Sequence, residues 1–253
     1  MVSAFRTRRA LLAAATLAAL PLAQGRSDEK LLRIVTSSLP PLVVDDGGAP
    51  GAVYELVIEL CRRVQLTPKT EFVPWNRAMY LANTMPAIAI FPVSRLRERE
   101  PQFRWLAPLY EENYVLMAHR DQFDLNRPGR MKARRIATLR GSTLIAALKE
   151  MGYLNIIEAA TVDDVFRYLA GGIADAAFGE RVIVRNSLKR RGREAEFEIS
   201  RPIRTATSWL AGSLDFSEDD AALFQRTMRQ MHAEGLYERI MKKYNLPLSA
   251  TGK

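Results

Sequence analysis

An arginine-rich segment follows a short apolar stretch in the first half of the chain. Residues 87–91 are all apolar, which predicts a short strand, and the proline at position 92 ends it. The polar side chains that follow include Ser94, Arg95, Arg97 and Arg99. Ligands of open α/β sheets bind beyond the carboxyl ends of strands, and the rigid guanidinium fork suits a carboxylate or a phosphate. The segment therefore predicts an anion-binding site.

The elements around this segment alternate between strands and helices. The predicted strands are 31–37, 70–73, 87–91, 135–139, 155–159 and 174–178. The predicted helices between them are 53–64, 75–83, 143–151 and 162–170, and the C-terminal part adds helices over 180–190, 217–233 and 235–244. Such βαβ order is typical of parallel sheets with crossover helices. The order occurs twice, which predicts two α/β lobes.

Extended segments near 113–119 and 208–212 are expected to cross between the lobes, an arrangement that permits hinge closure. We expect lobe 1 to comprise residues 26–118 and lobe 2 residues 119–208. Residues 209–253 would return to lobe 1 and form the C-terminal helices.

Residues 1–25 have the pattern of a cleaved export signal. Three arginines, Arg6, Arg8 and Arg9, precede an apolar run over 10–22, which is too short to span a bilayer comfortably. Small residues follow, and cleavage after Ala23 or Gly25 fits equally well. We expect a soluble periplasmic protein that is exported by the general secretion route, with the twin-arginine route as the alternative.

Composition argues against several other classes of protein. The three arginines of residues 1–25 account for part of the net charge of +9, so the mature chain is moderately basic. Its basic clusters lack interleaved aromatic residues, so they are interpreted as solvated faces and nucleic-acid binding is not expected. A docking surface or a contact with an anionic membrane is the alternative. Cys61 has no second cysteine to pair with, and His119 and His232 show no metal-ligand spacing, so no disulfide, metal or cofactor is predicted.

The motifs, taken in order, resemble the family 3 extracellular solute-binding proteins, the polar amino-acid type of bacterial transport receptors. The residues that carry the resemblance are the loop 94–100 with Trp105, Pro108 and Tyr110, the segment 74–78, the triplet 141–143, and the segments 174–180 and 235–240. The resemblance covers essentially the whole mature chain. It implies an α/β protein with the type II periplasmic-binding-protein fold, in which two α/β lobes are joined by two extended hinge crossings.

The resemblance also implies a ligand site. Arg99 matches the arginine that grips a ligand carboxylate, and Glu180 matches the acid that receives a ligand ammonium. The remaining expected ligand contacts are Ser94, Arg95, Trp75, Ser142, Thr143 and Tyr110. The loop departs from the family pattern at Leu96 and Arg97, where a Thr-Pro pair is common, so the anion is better supported than the amino acid.

Each of these residues also has a structural interpretation. Arg99 could instead form a surface ion pair with Glu98 or Glu100. Ser142 could be a plain helix N-cap, although a cap can contact a ligand as well. Trp75 and Tyr110 could pack in the core or on a lobe surface rather than against a solute.

The expected function is that of a monomeric, non-enzymatic receptor. It would capture a small carboxylate-bearing solute by lobe closure and deliver it to an inner-membrane ABC permease. The alternatives are a dehydratase-type enzyme on the same fold and a sensory receptor that presents its solute to a membrane signalling protein.

Overall fold

The computed structural model describes residues 30–45 and 50–246, so the predicted export signal lies outside the described residues. The strands are β1 (Leu31–Thr36), β2 (Thr67–Phe72), β3 (Ile88–Ser94), β4 (Arg104–His119), β5 (Arg135–Leu139), β6 (Asn155–Ala159), β7 (Ala176–Glu180), β8 (Phe197–Ile199) and β9 (Arg204–Gly212). The α-helices are α1 (Ala52–Arg63), α2 (Trp75–Thr84), α3 (Thr143–Glu150), α4 (Val162–Ala170), α5 (Arg181–Arg191), α6 (Glu218–Ala233) and α7 (Leu236–Lys243). Two 3₁₀ helices span Arg97–Gln102 and Pro128–Met131.

One continuous sheet runs through the molecule in the order β2-β1-β3-β9-β4-β7-β5-β6, with β8 paired to β4. At one end β1 is parallel to both β2 and β3, and at the other end β5 is parallel to both β6 and β7. These are the two βαβ units that the sequence predicts. Apolar clusters cover both faces of each half, since alternate side chains of the strands point to opposite faces.

The long strands β4 and β9 join the two halves. They pair antiparallel from Arg104 to Tyr114 of β4, and β4 then pairs with β7 over Tyr114 to Met117. Both crossings of the chain are therefore extended, as predicted, but the strands are longer than the sequence indicated. The register shifts on either side of Pro108, which lets β4 accommodate a residue that has no N–H to donate.

The ends of three strands face one another between the halves. Strand β3 ends at Ser94 and leads into the 3₁₀ helix that carries Arg99, while β5 and β7 end next to α3 and α5. The two walls approach closely at Gly141, where an added Cβ would lie 3.2 Å from Cβ of Asn76 on α2. Gly141 also has a φ of +72°, a conformation that favours glycine.

Candidate functional site

A cavity lies between the two halves, beyond the ends of these strands. It holds about 830 Å³ of space free of protein atoms, part of which is continuous with solvent. Seven of the eight residues predicted from the sequence line it: Trp75, Ser94, Arg99, Tyr110, Ser142, Thr143 and Glu180. Because they come from α2, β3, the first 3₁₀ helix, β4, α3 and β7, the site exists only when both halves of the sheet are in place.

Arg99 is a buried cation in the wall of this cavity. The 3₁₀ helix holds its backbone, with its N–H donating to the Leu96 carbonyl at 2.9 Å, and the residue is 6% exposed. Within residues 30–45 and 50–246, its guanidinium donates no hydrogen bond and forms no ion pair within 4.0 Å. Burial lowers the pKa of Arg99, while electrostatic interactions with Tyr114, Glu112 and Glu98 act in the opposite direction. A buried charge without a partner is costly, so an anion in the cavity would stabilise this site.

The alternative ion pairs of Arg99 with Glu98 or Glu100 do not form. Glu100 pairs instead with Arg95, whose Nε lies 2.8 Å from Oε1 of the acid. The Arg95 guanidinium also stacks over the rings of Trp209 and Trp105, at 4.6 Å and 5.2 Å from their centroids. Arg95 does not line the cavity, and its expected ligand contact stays a prediction.

Glu112 is a lining residue that the sequence reasoning missed. It is buried on β4 and accepts hydrogen bonds from the hydroxyl of Tyr114 and, at 3.4 Å, from the hydroxyl of Tyr110. Burial raises the pKa of Glu112, and these hydrogen bonds together with the charge of Arg99 act against the rise. The sequence contained a signal for it, because Tyr110, Glu112 and Tyr114 alternate along one strand and so share a face.

A hydrogen-bond chain connects the two halves beside Arg99. Thr143 at the start of α3 donates to the Ser94 hydroxyl at 3.4 Å, and the Ser94 hydroxyl donates to the Tyr114 hydroxyl at 2.8 Å. Tyr114 in turn donates to Glu112. The structure therefore brings the predicted residues Ser94 and Thr143, one from each half, into contact.

Glu180 has a structural role as well as a position in the cavity wall. Its Oε2 accepts from the backbone N–H groups of Val182 and Ile183 at 2.7 and 3.0 Å, so the side chain caps α5. Burial, with a contribution from the charge of Glu112, raises the pKa of Glu180 to about 8.

The start of α3 presents backbone donors to the cavity. Ser142 occupies the N-cap position, but its hydroxyl donates to the Leu139 carbonyl at 2.6 Å and does not cap the helix. The first-turn N–H groups of a helix have no intrahelical acceptor, and they carry the positive end of the helix dipole. Ser142 is thus at the predicted N-cap position without a capping side-chain hydrogen bond, and α3 can offer these donors to an anion.

Trp75 and Tyr110 combine both of their expected roles. Trp75 is 7% exposed and packs with the apolar cluster of β3 and α2, while one part of it faces the cavity. Tyr110 belongs to the core cluster of the first half and directs its hydroxyl to Glu112. Each aromatic residue is thus a core residue that also forms a wall.

Beyond this polar region, the cavity is lined by apolar side chains of the second half. They include Met117 on β4, Ala177 on β7, and further residues on α4 and α5. No group of three or more metal-ligating side chains occurs in the part of the chain that the structure describes. Across the same residues, no helix has the length and apolar character needed to cross a membrane.

Comparisons with known proteins identify the fold. No protein-family model and no curated protein matches the chain. A histidine kinase sensor domain with similarity to periplasmic binding proteins is 20% identical, with a TM-score of 0.80 over 88% of this chain and all of that chain. An ancestral arginine-binding protein bound to arginine is 14% identical, with a TM-score of 0.76 over 85% of this chain and 98% of the other.

A third solved structure comes from work on glutathione import through GshT and the cystine importer of Streptococcus mutans. It is 14% identical to this chain, with a TM-score of 0.79 over 88% of this chain and 98% of the other. These likenesses confirm the predicted type II periplasmic-binding-protein fold. At such identities they establish the fold and not the ligand.

Proposed function

We propose that the chain is a solute-binding receptor that captures a small carboxylate-bearing molecule, an amino acid or a close relative, in the cavity between two hinged lobes. The lobes are residues 26–118 and 119–208, with 209–253 returning to the first. The observation that carries the proposal is Arg99, whose guanidinium is buried in the cavity wall without an ion-pair partner among the described residues. A bidentate carboxylate would satisfy its donors in a partly desolvated setting, where such pairs are strongest.

The surroundings of Arg99 support an amino acid as the ligand. The N-terminus of α3 adds backbone donors beside the guanidinium. Two buried acids, Glu112 and Glu180, supply a region where an ammonium group would be neutralised. Ligand binding across both lobes would favour the closed state by its differential affinity for that state.

In this proposal the receptor works in the periplasm and passes its solute to an inner-membrane ABC permease. One solved structure of this fold is the substrate binding protein of an amino acid ABC transporter, which is 16% identical to this chain. The similarity to a histidine kinase sensor domain favours a second candidate, a sensory receptor. Solute uptake by cells with and without the chain separates the two, since a sensory receptor would leave uptake unchanged.

An enzyme remains the alternative because Glu180, with a pKa of about 8, could exchange protons near neutral pH. Its cap on α5 and the tyrosine hydrogen bonds of Glu112 favour a static role for both acids. We therefore expect no turnover of prephenate or arogenate, and measurable turnover of either would contradict the receptor proposal.

A thermal-shift screen with matched analogues tests the proposal. Each L-amino acid is compared with its decarboxylated amine and with its deaminated acid at the same concentration. A ligand at a hundred times its Kd stabilises the folded state by about 2.7 kcal/mol, which raises the Tm of a chain this size by about 5 to 10 °C. We expect carboxylate-bearing members to give this rise and the amines to give none. Equal shifts with the amines would refute the proposed role of the carboxylate.

A further inference from the structure

The apolar part of the cavity has no role yet in the capture of a carboxylate. We define the apolar arm as the side chains of Met117, Val162, Val165, Phe166, Ala177 and Val184, which line the cavity from β4, α4, β7 and α5. We propose, resting on the proposed function, that this arm houses a hydrocarbon side chain and that the receptor selects apolar α-amino acids over polar ones.

The charges of the cavity are carried by residues outside the arm. The buried ionisable residues in the wall are Arg99, Glu112 and Glu180. They lie in the first 3₁₀ helix, in the middle of β4 and at the end of β7, respectively. None of the six side chains of the arm carries a nitrogen or oxygen atom. A bound amino acid would thus meet charged groups with its carboxylate and ammonium, and apolar groups with its side chain.

The polar group on α5 that adjoins the arm already has a partner. The Ser187 hydroxyl accepts a hydrogen bond from Nη1 of Arg191 at 2.9 Å, and its residue is 2% exposed. Glu180, at the start of the same helix, is engaged by the N–H groups of Val182 and Ile183. A polar side chain of the ligand would therefore lose water in the arm and could reach only the Ser187 hydroxyl, whose oxygen already accepts from Arg191.

These environments have different consequences for polar and apolar ligands. Each methylene that leaves water for an apolar surface raises affinity by about fourfold. A polar group that is buried without a hydrogen-bond partner lowers affinity by about tenfold or more. Side-chain length and polarity, rather than the carboxylate, should therefore decide which amino acids bind well.

Isothermal titration calorimetry with defined amino acids tests this inference. L-alanine, L-norvaline and L-norleucine form a series of increasing hydrocarbon length, and L-leucine and L-asparagine form a pair of similar shape. We expect affinity to rise by about fourfold per methylene until the arm is full. We also expect leucine to bind at least about ten times more tightly than asparagine.

Two variants locate the effect. Val165→Thr keeps the shape of the side chain in the arm but adds a hydroxyl, so it should weaken norleucine and leave alanine unchanged. Val73→Thr is the matched control, since Val73 is also partly buried but packs in the first half and does not line the cavity. Equal weakening of norleucine by both variants would overturn the assignment of the arm.

An affinity that is flat along the series, or that favours asparagine, overturns the inference. The proposed function stands if the bound members still require Arg99. The absence of binding by every apolar member also overturns the inference, and the matched-analogue screen then decides separately whether any other carboxylate binds.

Discussion

Arg99→Met removes a buried guanidinium from the cavity while keeping much of the length of the side chain. The residue is 6% exposed, so a ligand carboxylate would meet it in a largely desolvated setting. Removing one partner of a buried ion pair costs about 3 to 5 kcal/mol. At about 1.4 kcal/mol per factor of ten, the affinity should fall by about 150- to 4000-fold.

The same substitution should not destabilise the ligand-free protein. Burial lowers the pKa of Arg99, which means that the folded protein destabilises the charged guanidinium. Among the described residues, no anion lies within ion-pair distance to offset that cost. Replacing the cation by an apolar side chain removes that cost. We expect the free energy of unfolding to stay constant or to rise by up to about 2 kcal/mol.

The assay is calorimetric titration with whichever L-amino acid gives the largest thermal shift, alongside urea unfolding of the ligand-free proteins. Arg97→Met is the matched control, because Arg97 lies in the same 3₁₀ helix but is exposed. It should leave both affinity and stability within about 0.5 kcal/mol of the wild type. If Arg99→Met binds the ligand as tightly as Arg97→Met, Arg99 does not hold the carboxylate. If Arg99→Met unfolds several kcal/mol more easily than the wild type, the buried guanidinium does not destabilise the fold.

Three further predictions concern the support of the site. The pKa of Glu180 is about 8 in the folded protein and 4.5 for an ordinary glutamate. Between these pH values the folded state binds a proton that the unfolded state has lost, so the free energy of unfolding should fall as pH rises. Glu180→Gln should flatten that fall when Tm is measured at pH 5, 7 and 9, and an unchanged slope would contradict the assignment. Arg95→Ala should cost about 0.5 to 1 kcal/mol of stability, because the stacking of Arg95 on Trp105 is lost. Ligand affinity should change less than about fivefold, and a loss of affinity as large as that of Arg99→Met would show that Arg95 binds the ligand. Ser217→Ala removes the capping box with Asp220 at the start of α6 and should lower Tm by about 2 to 4 °C without changing affinity, so an unaltered Tm would count against the cap.

Much of the site could be predicted because its residues lie where parallel strands end. Ser94, Arg99, Ser142 and Glu180 all follow or end a predicted strand, and the βαβ order brings such ends to one edge of the sheet. The burial of Arg99 was not predictable from the sequence. The cavity wall that contains Arg99 is built from both halves of the molecule, which meet where Thr143 contacts Ser94 across 49 positions of sequence.

Arg95 and Glu112 show why the remaining residues were misplaced or missed. Arg95 is drawn away from the cavity by Trp209, a residue of β9 that is distant in sequence and adjacent only through the sheet order. Glu112 lies just before the segment 113–119 that was predicted as an extended crossing, and in the structure it belongs to the longer strand β4. Its alternation with Tyr110 and Tyr114 was visible, but its depth depends on the flanking strands β7 and β9.

A crystal structure of the protein, determined after incubation with L-norleucine, shows directly which groups in the cavity bind the carboxylate, the ammonium and the side chain of a ligand. We expect the carboxylate oxygens within hydrogen-bond distance of the Arg99 guanidinium, the ammonium beside Glu112 or Glu180, and the hydrocarbon chain against Phe166. A ligand bound in the cavity with its carboxylate away from Arg99, or bound elsewhere on the protein, would contradict this expectation.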